Sequence, residues 1–171
     1  MIVDSEIRHL SVPARFFAYA WAYRNAAAAL CLEMVDREYR TWPNATVVLL
    51  LAAHAVELFL KGAILSRDPT ADVWHHRIDA LSREYAKRFP QASFSWDIPF
   101  KTDYLGMTEA QIEEAEKTTL VPSVLYRYPV SKGGEDWKTA IGFIPIEFVP
   151  ILDGLKADFA RLESRFVTTT A

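Results

Sequence analysis

The sequence predicts an all-α fold, an antiparallel bundle of four to five helices with an irregular insertion before the last one. Two long segments, one near each end of the chain, carry apolar residues that recur alternately every three and four positions. A third segment between them is apolar on nearly every side. The alternating spacing puts apolar side chains on one helix face, whereas a helix that is apolar all round is a buried one. We therefore expect the third segment to form the centre of the bundle.

The first predicted helix runs from about Pro13 to Arg40. Ser11 can cap its N-terminus, and proline is tolerated in the first turn because its missing N–H has no intrahelical partner there. The apolar stripe comprises Phe16, Ala20, Tyr23, Ala27, Leu30 and Met34. The opposite face carries Arg24, Glu33, Arg37 and Arg40. The helix should end at Thr41-Trp42-Pro43, since the residue before a proline avoids the helical region.

The second helix is predicted to begin near Pro43 and to reach about Ser66, and it is the central, apolar one. A third helix is predicted from about Trp74 to Phe89. It presents apolar residues at helical spacing, namely Ile78, Leu81, Tyr85 and Phe89. Pro90 follows directly, which favours a helix end at this point.

Residues 91–143 form the irregular insertion and hold four of the six glycines. Thr108 with Gln111 fits a capping box for a short helix that reaches about Lys117. Beyond it, residues 121–143 are expected to be extended or irregular, with a turn at 131–134 that is compatible with a small hairpin. So long an irregular segment in a compact domain usually serves a function or an interface.

The last helix is predicted from its apolar stripe of Phe148, Leu152, Leu155, Phe159, Leu162 and Phe166. It should start near Pro145 or near Pro150, or be kinked between them. No internal repeat, low-complexity tract or linker divides the chain. Residues 1–171 are therefore predicted to form a single domain.

Composition narrows the classes of protein that fit. With 51% hydrophobic residues in 171, the chain can offset the entropy cost of ordering, which excludes a disordered protein. The net charge of -3 provides no overall basic field for nucleic acid. Cys31 is the only cysteine, which excludes an intrachain disulfide and a cysteine-rich zinc site, and a buried, inert thiol is expected.

The same reasoning predicts a cytoplasmic protein with no membrane span. The longest apolar run, from Val47 to Val56, is interrupted by His54 and is too short to cross a bilayer. The N-terminus has acidic residues early and lacks the basic-then-apolar order of a signal peptide.

A polar stripe on the central helix is the most informative feature. His54, Glu57 and Lys61 lie within about 60° of one another around the helix axis, and their neighbours are apolar. Buried charges are costly unless paired, and Glu57 with Lys61 has the favourable order at i,i+4. One interpretation is an internal salt bridge with a hydrogen-bonded histidine. The other is a polar cleft or a surface that faces a partner subunit.

The same helix carries a family resemblance. The run A-A-H-A-V-E-L-F-L-K-G-A-I-L at 52–65 resembles the second-helix pattern of the HEPN superfamily, with Gly62 where alanine is usual. The run H-R-I-D-A-L at 76–81 is similar to the H-x-L-x-x-L that opens the family's next helix, and R-Y-P within 126–129 is similar to an element of some members. The resemblance covers residues 13–90 best. It implies a small helical bundle that forms homodimers, in a group that includes RNA-cutting toxins and inert relatives.

The nuclease motif of that family is absent. HEPN ribonucleases carry an arginine followed, after four to six residues, by a histidine, whereas Arg67 precedes His75 by one residue too many. The resemblance therefore favours a non-catalytic, homodimeric module for RNA, a nucleotide or a partner protein, with no cofactor. The alternative is a toxin-type, metal-independent ribonuclease with a rearranged active site drawn from His54, His76, Lys61 and Arg127.

Two sets of candidate site residues follow. The polar-cleft candidates are His54, Glu57, Lys61, His76 and Arg127. The candidates for binding RNA or a nucleotide are Tyr126, Arg127, Tyr128 and Lys132, because alternating basic and aromatic residues can neutralise phosphates and stack on bases. The same alternation is typical of a strand with one buried face. His75-His76 is expected to have a structural role at a helix start, and an adjacent pair alone provides too few ligands for a metal.

Overall fold

A computed structural model of the chain describes residue 3 and residues 5–36, 40–137 and 142–167. Within these ranges the chain forms α-helices and one short 3-10 turn, with no strand, which confirms the predicted all-α bundle. The helices are α1 (Ser5–Arg8), α2 (Val12–Val35), α3 (Trp42–Arg67), α4 (Ile78–Arg88), α5 (Glu109–Thr118), α6 (Pro122–Leu125) and α7 (Pro145–Val167). The 3-10 turn spans Ala92–Phe94.

Helix α3 is the centre of the bundle, as its all-round apolar sequence predicts. It packs against α2, α4, α6 and α7, and most of its side chains are buried. Its Phe59 ring stacks on Phe159 of α7 at a centroid distance of 4.1 Å and also contacts Phe17 of α2. The core is thus a layer of aromatic rings in which α2 and α7 both meet α3.

Helix α3 is also long and apolar enough to cross a membrane by length and composition, the only such helix among the described residues. Its apolar window is 72% buried inside the bundle. Burial of this kind is typical of a core helix, because the apolar side chains already have protein neighbours.

Helix α2 begins as predicted and ends earlier. The Ser11 hydroxyl accepts a hydrogen bond from the Ala14 amide, which caps the N-terminus. The helix ends at Val35, and Arg40 turns back to donate to the carbonyls of Met34 and Val35. Arg40 is therefore a C-terminal cap rather than a helix-surface residue. Arg37 lies outside the described residues.

One assignment on α2 is wrong. Arg24 was expected on the solvent face, yet it is 6% exposed. Its guanidinium donates two hydrogen bonds to the Leu152 carbonyl of α7 and pairs with Asp153. The physical reason is that α2 packs against both α3 and α7, so its buried face is wider than one stripe. Cys31, on the same helix, is buried as expected, and burial raises the pKa of its thiol.

Helix α4 starts at Ile78, four residues later than predicted. Trp74 is exposed. Backbone amides ahead of α4 donate hydrogen bonds to nearby side chains instead of forming a helical turn. The Asp72 carboxylate accepts from the Trp74 amide, and the His75 ring nitrogen accepts from the Arg77 amide. Such side-chain bonds compete with a helical turn, which explains the late start.

The insertion contains the predicted capping box and the predicted turn, but not the small hairpin with which that turn was compatible. Thr108 and Gln111 form the reciprocal capping box of α5, and Gly134 closes a turn by donating to the Ser131 carbonyl. A hairpin does not form in the part of 121–143 that the structure describes, and 126–128 is not a strand. Pro122 instead initiates the short helix α6, because proline fits the first turn of a helix.

Helix α7 starts at Pro145, the first of the two predicted positions, and continues through Pro150. Its stripe residues Leu152, Leu155, Phe159 and Leu162 are all buried against the rest of the bundle.

Candidate functional site

Glu57 is the hub of a polar cluster inside the bundle. Its Oε1 lies 2.8 Å from Lys61 Nζ and 2.9 Å from His76 Nδ1, and its Oε2 lies 3.7 Å from His54 Nδ1. Helix α3 supplies three of these residues on one face, and His76 comes from the loop that precedes α4. We call Glu57, Lys61, His54 and His76 the polar cluster.

The members of the polar cluster differ in exposure. The side chains of Glu57 and Lys61 are 3% and 6% exposed, whereas that of His76 is 58% exposed. The His54 ring packs edge-on against Tyr23 of α2 at 4.5 Å. The histidine within hydrogen-bond distance of Glu57 is therefore His76, and the 3.7 Å contact with His54 is an ion pair only when His54 is protonated.

The electrostatics favour an ionised Glu57. Burial by itself would raise the pKa of this carboxyl. The interactions with His54 and Lys61, the positive charge of Lys61 and the hydrogen bond of His76 outweigh burial, and they lower the pKa from 4.5 to about 2. Glu57 is thus a carboxylate at neutral pH and can only accept hydrogen bonds. His76 must donate through Nδ1–H, which leaves its Nε2 as the free ring nitrogen.

The polar cluster offers little room for a substrate. The crevice over it is lined by Leu50, Ala53, His54, Glu57, His76, Ile78, Pro122 and Ser123, and it is too narrow to admit a water molecule. Both carboxylate oxygens of Glu57 already face side-chain nitrogens of the polar cluster. The Glu57–Lys61 pair fits the internal salt bridge of the first interpretation of the stripe, but the histidine at hydrogen-bond distance is His76 rather than His54.

A second feature, which we call the aromatic groove, opens beside the polar cluster. Its volume is about 600 Å³. One wall is the N-terminal part of α3, and the other is α6 with the chain that follows it. The lining residues are Trp42, Pro43, Thr46, Val47, Leu50, Leu125, Tyr126, Arg127, Tyr128, Pro129 and Trp137. Leu50 lines both the groove and the crevice over the polar cluster.

Arg127 is the one charged residue among the described residues that line the groove. Its side chain is exposed and has no hydrogen bond or ion pair with any residue in the described parts of the chain. Beside it, the rings of Trp42 and Tyr128 are 48% and 53% exposed. The Trp137 indole donates to the Tyr128 carbonyl at 2.8 Å, which fixes the orientation of that ring.

The predicted site residues thus separate into two places. The structure brings together His54, Glu57, Lys61 and His76, but Arg127 lies in the groove and outside the polar cluster. Tyr126 lines the groove but is half-buried, packs against Phe100 and has a pKa raised by burial. Lys132 does not line the groove.

Sequence reasoning missed Trp42 and Trp137. Trp42 was read as part of a helix stop before Pro43, and an aromatic residue before a helix start carries no further signal. Trp137 stands in the irregular insertion without any periodicity. Only the packing of α6 against α3 places these rings in one groove.

Two further findings bear on function. The described residues contain no cluster of three or more histidine, cysteine, aspartate or glutamate side chains that could hold a metal ion. No protein family, curated protein or solved structure matches this chain.

Proposed function

We propose that this chain is a non-catalytic, HEPN-like binding module that acts as a homodimer in the cytoplasm. The observation that carries the proposal is the exposed guanidinium of Arg127, which has no partner among the described residues and lies in an open groove lined by aromatic rings. A concave, mostly apolar site with one well-placed polar group is the usual form of a binding site. The family link rests on the sequence pattern at 52–65 and 76–81.

We assign the polar cluster a structural role within that module. Glu57 accepts from Lys61 on its own helix and from His76 on the loop before α4. The cluster therefore ties this loop to the central helix. These residues lie within the runs 52–65 and 76–81 that carry the HEPN resemblance, so a shared structural function explains the pattern without catalysis.

The chemistry of the groove defines its ligand in general terms. An exposed arginine attracts an anionic group, and exposed aromatic rings pack against apolar or planar groups. RNA, a nucleotide and a segment of a partner protein each combine these properties.

Exposed apolar side chains support the homodimer. Ile144 and Ile146 are 53% and 57% exposed, and they line a second cavity that adjoins the groove at Trp42. Monomers rarely leave contiguous apolar patches open to water. Light scattering at micromolar concentration is expected to give twice the mass of the chain, and a monomer mass would contradict this part of the proposal.

One observation favours a second function, a metal-independent ribonuclease with a rearranged active site. A buried carboxylate that holds Nδ1 of an exposed histidine leaves Nε2 free for proton transfer, as in catalytic dyads. His54 would be the second acid–base group, at the other carboxylate oxygen of Glu57.

The decisive experiment incubates the protein with fluorescein-labelled, single-stranded decameric RNA in the presence of EDTA and follows both binding and cleavage. The binding module leaves the RNA intact, and any affinity falls with added salt and on Arg127→Ala substitution. Cleavage that is lost in His76→Ala and retained in Arg127→Ala would establish the ribonuclease instead.

A further inference from the structure

We infer that the aromatic groove binds an extended segment of a partner protein in which one carboxylate stands next to proline or aliphatic residues. The inference rests on the proposed function, since it names the ligand class of the same groove. The supporting observations are the charge of the lining, the arrangement of its rings and their exposure.

The charge of the groove fits a ligand with one negative group. Among the described residues that line it, Arg127 is the single cation, and none of them is an aspartate or a glutamate. RNA carries a phosphate at every nucleotide, and its affinity comes from several clustered cations. The chain as a whole has a net charge of -3. One guanidinium in an acidic protein therefore matches one carboxylate, with which arginine forms paired hydrogen bonds.

The rings of the groove fit a proline-containing segment. Trp42 lies on the α3 wall, and Tyr128 with Trp137 lies on the opposite wall. Aromatic-lined grooves of this kind bind extended, proline-containing segments, which are already ordered before binding and lose little entropy. The hydrogen bond from Trp137 to the Tyr128 carbonyl holds one of the rings in place before the ligand arrives. A fixed ring reduces the entropy cost on the protein side as well.

Fluorescence polarisation with labelled peptides tests the inference. Three fluorescein-labelled probes share the sequence Pro-Leu-Pro-X-Pro-Leu-Pro, where X is glutamate, glutamine or lysine. A labelled decamer of uridine nucleotides serves as the RNA probe. The variants are Arg127→Ala, Trp42→Ala and, as the matched control, Arg67→Ala. Arg67 is exposed at the other end of α3 and does not line the groove, so its substitution changes the net charge equally.

We expect the glutamate peptide to bind about tenfold more tightly than the glutamine peptide, and the lysine peptide to bind most weakly. Arg127→Ala should abolish the difference between glutamate and glutamine. Trp42→Ala should weaken all three peptides, and Arg67→Ala should leave the order unchanged. Circular dichroism checks that each variant is folded, which we expect because all three substituted residues are exposed.

The following results would overturn the inference. Peptides that bind equally regardless of X, or that do not bind, exclude the proposed ligand class. If the RNA probe alone binds and depends on Arg127, the binding module stands but its partner is RNA. If Arg127→Ala or Trp42→Ala converts a dimer into a monomer, the groove is the surface between two copies of this chain. Failure of both the peptides and the RNA would overturn the binding module together with this inference.

Discussion

Lys61 Nζ lies 2.8 Å from Glu57 Oε1, and both side chains are almost completely shielded from water. A buried ion pair adds little net stability compared with a well-packed apolar pair, because both charges lose their hydration. The loss of one partner is far more costly, since it leaves the other charge buried and uncompensated. In the polar cluster, a substitution that removes a side chain should therefore reduce stability far more than one that keeps its shape and hydrogen-bonding capacity.

Glu57→Ala should destabilise the protein more than Glu57→Gln. Both variants lose the charge, but alanine also leaves a cavity and an unpaired Lys61. We expect the alanine variant to lose about 3–5 kcal/mol of its free energy of unfolding. The glutamine variant should lose less, because glutamine can still accept hydrogen bonds from Lys61 and His76. Urea denaturation measures the difference, with Glu147→Ala at an exposed position of α7 as the control. Equal stabilities of all variants and the wild type would show that the pair contributes nothing.

Stability should fall in acid through the same residue. The folded-state pKa of Glu57 is about 2, below its ordinary value of 4.5, so folding favours the ionised form. The resulting stability, on the order of 3 kcal/mol, is present above pH 4.5 and is lost as the pH falls toward 2. The free energy of unfolding, measured from pH 7 to 2, should therefore decrease more steeply for the wild type than for Glu57→Gln. Parallel curves would contradict the lowered pKa.

The features that could be predicted from the sequence are those that depend on residues close together in the chain. The Ser11 cap, the Thr108–Gln111 capping box and the apolar stripe of α7 were predictable because each depends on neighbours within a few positions of the chain. The i,i+4 pair of Glu57 and Lys61 was predictable for the same reason.

Features that join distant segments were not predictable from those patterns. Arg24 was assigned to solvent because the stripe rule assumes one partner face, whereas α2 contacts two helices. The direct bond between His76 and Glu57 depends on the path of the loop before α4. The groove between Trp42 and Trp137 likewise depends on where α6 packs on α3.

Arg24 should be more important for stability than its ion-pair partner. The buried guanidinium makes two hydrogen bonds to the Leu152 carbonyl, at 2.9 and 2.8 Å, and so joins α2 to α7. Asp153 is 69% exposed, and ion pairs with an exposed partner contribute about 0–1 kcal/mol. We expect Arg24→Ala to cost about 2–4 kcal/mol and Asp153→Ala less than about 1 kcal/mol. Thermal or urea unfolding of the two variants measures their free energies of unfolding. Equal losses of stability would show that the ion pair, rather than the hydrogen bonds to the Leu152 carbonyl, is important.

Two helical glycines should respond in opposite ways to alanine. A Cβ at Gly62 of α3 would lie 2.8 Å from the Phe17 ring and 3.1 Å from Phe16 Cβ, whereas a Cβ at Gly154 of α7 would meet nothing within 4 Å. The Phe17 ring cannot move freely, because it is buried and packs against Phe59 and Phe166. The close approach of α2 also explains why glycine, rather than a residue with a Cβ, occupies position 62.

Gly62→Ala should therefore destabilise the protein by about 1–3 kcal/mol, since overpacking outweighs the better helix propensity of alanine. Gly154→Ala should instead stabilise it by about 0.5–1 kcal/mol, because only the propensity term remains. Chemical denaturation of both variants and the wild type measures the expected loss and the expected gain of stability in one experiment. A stabilising Gly62→Ala would mean that α2 can move away from α3 at no cost, and it would contradict the tight packing of Phe17 described above.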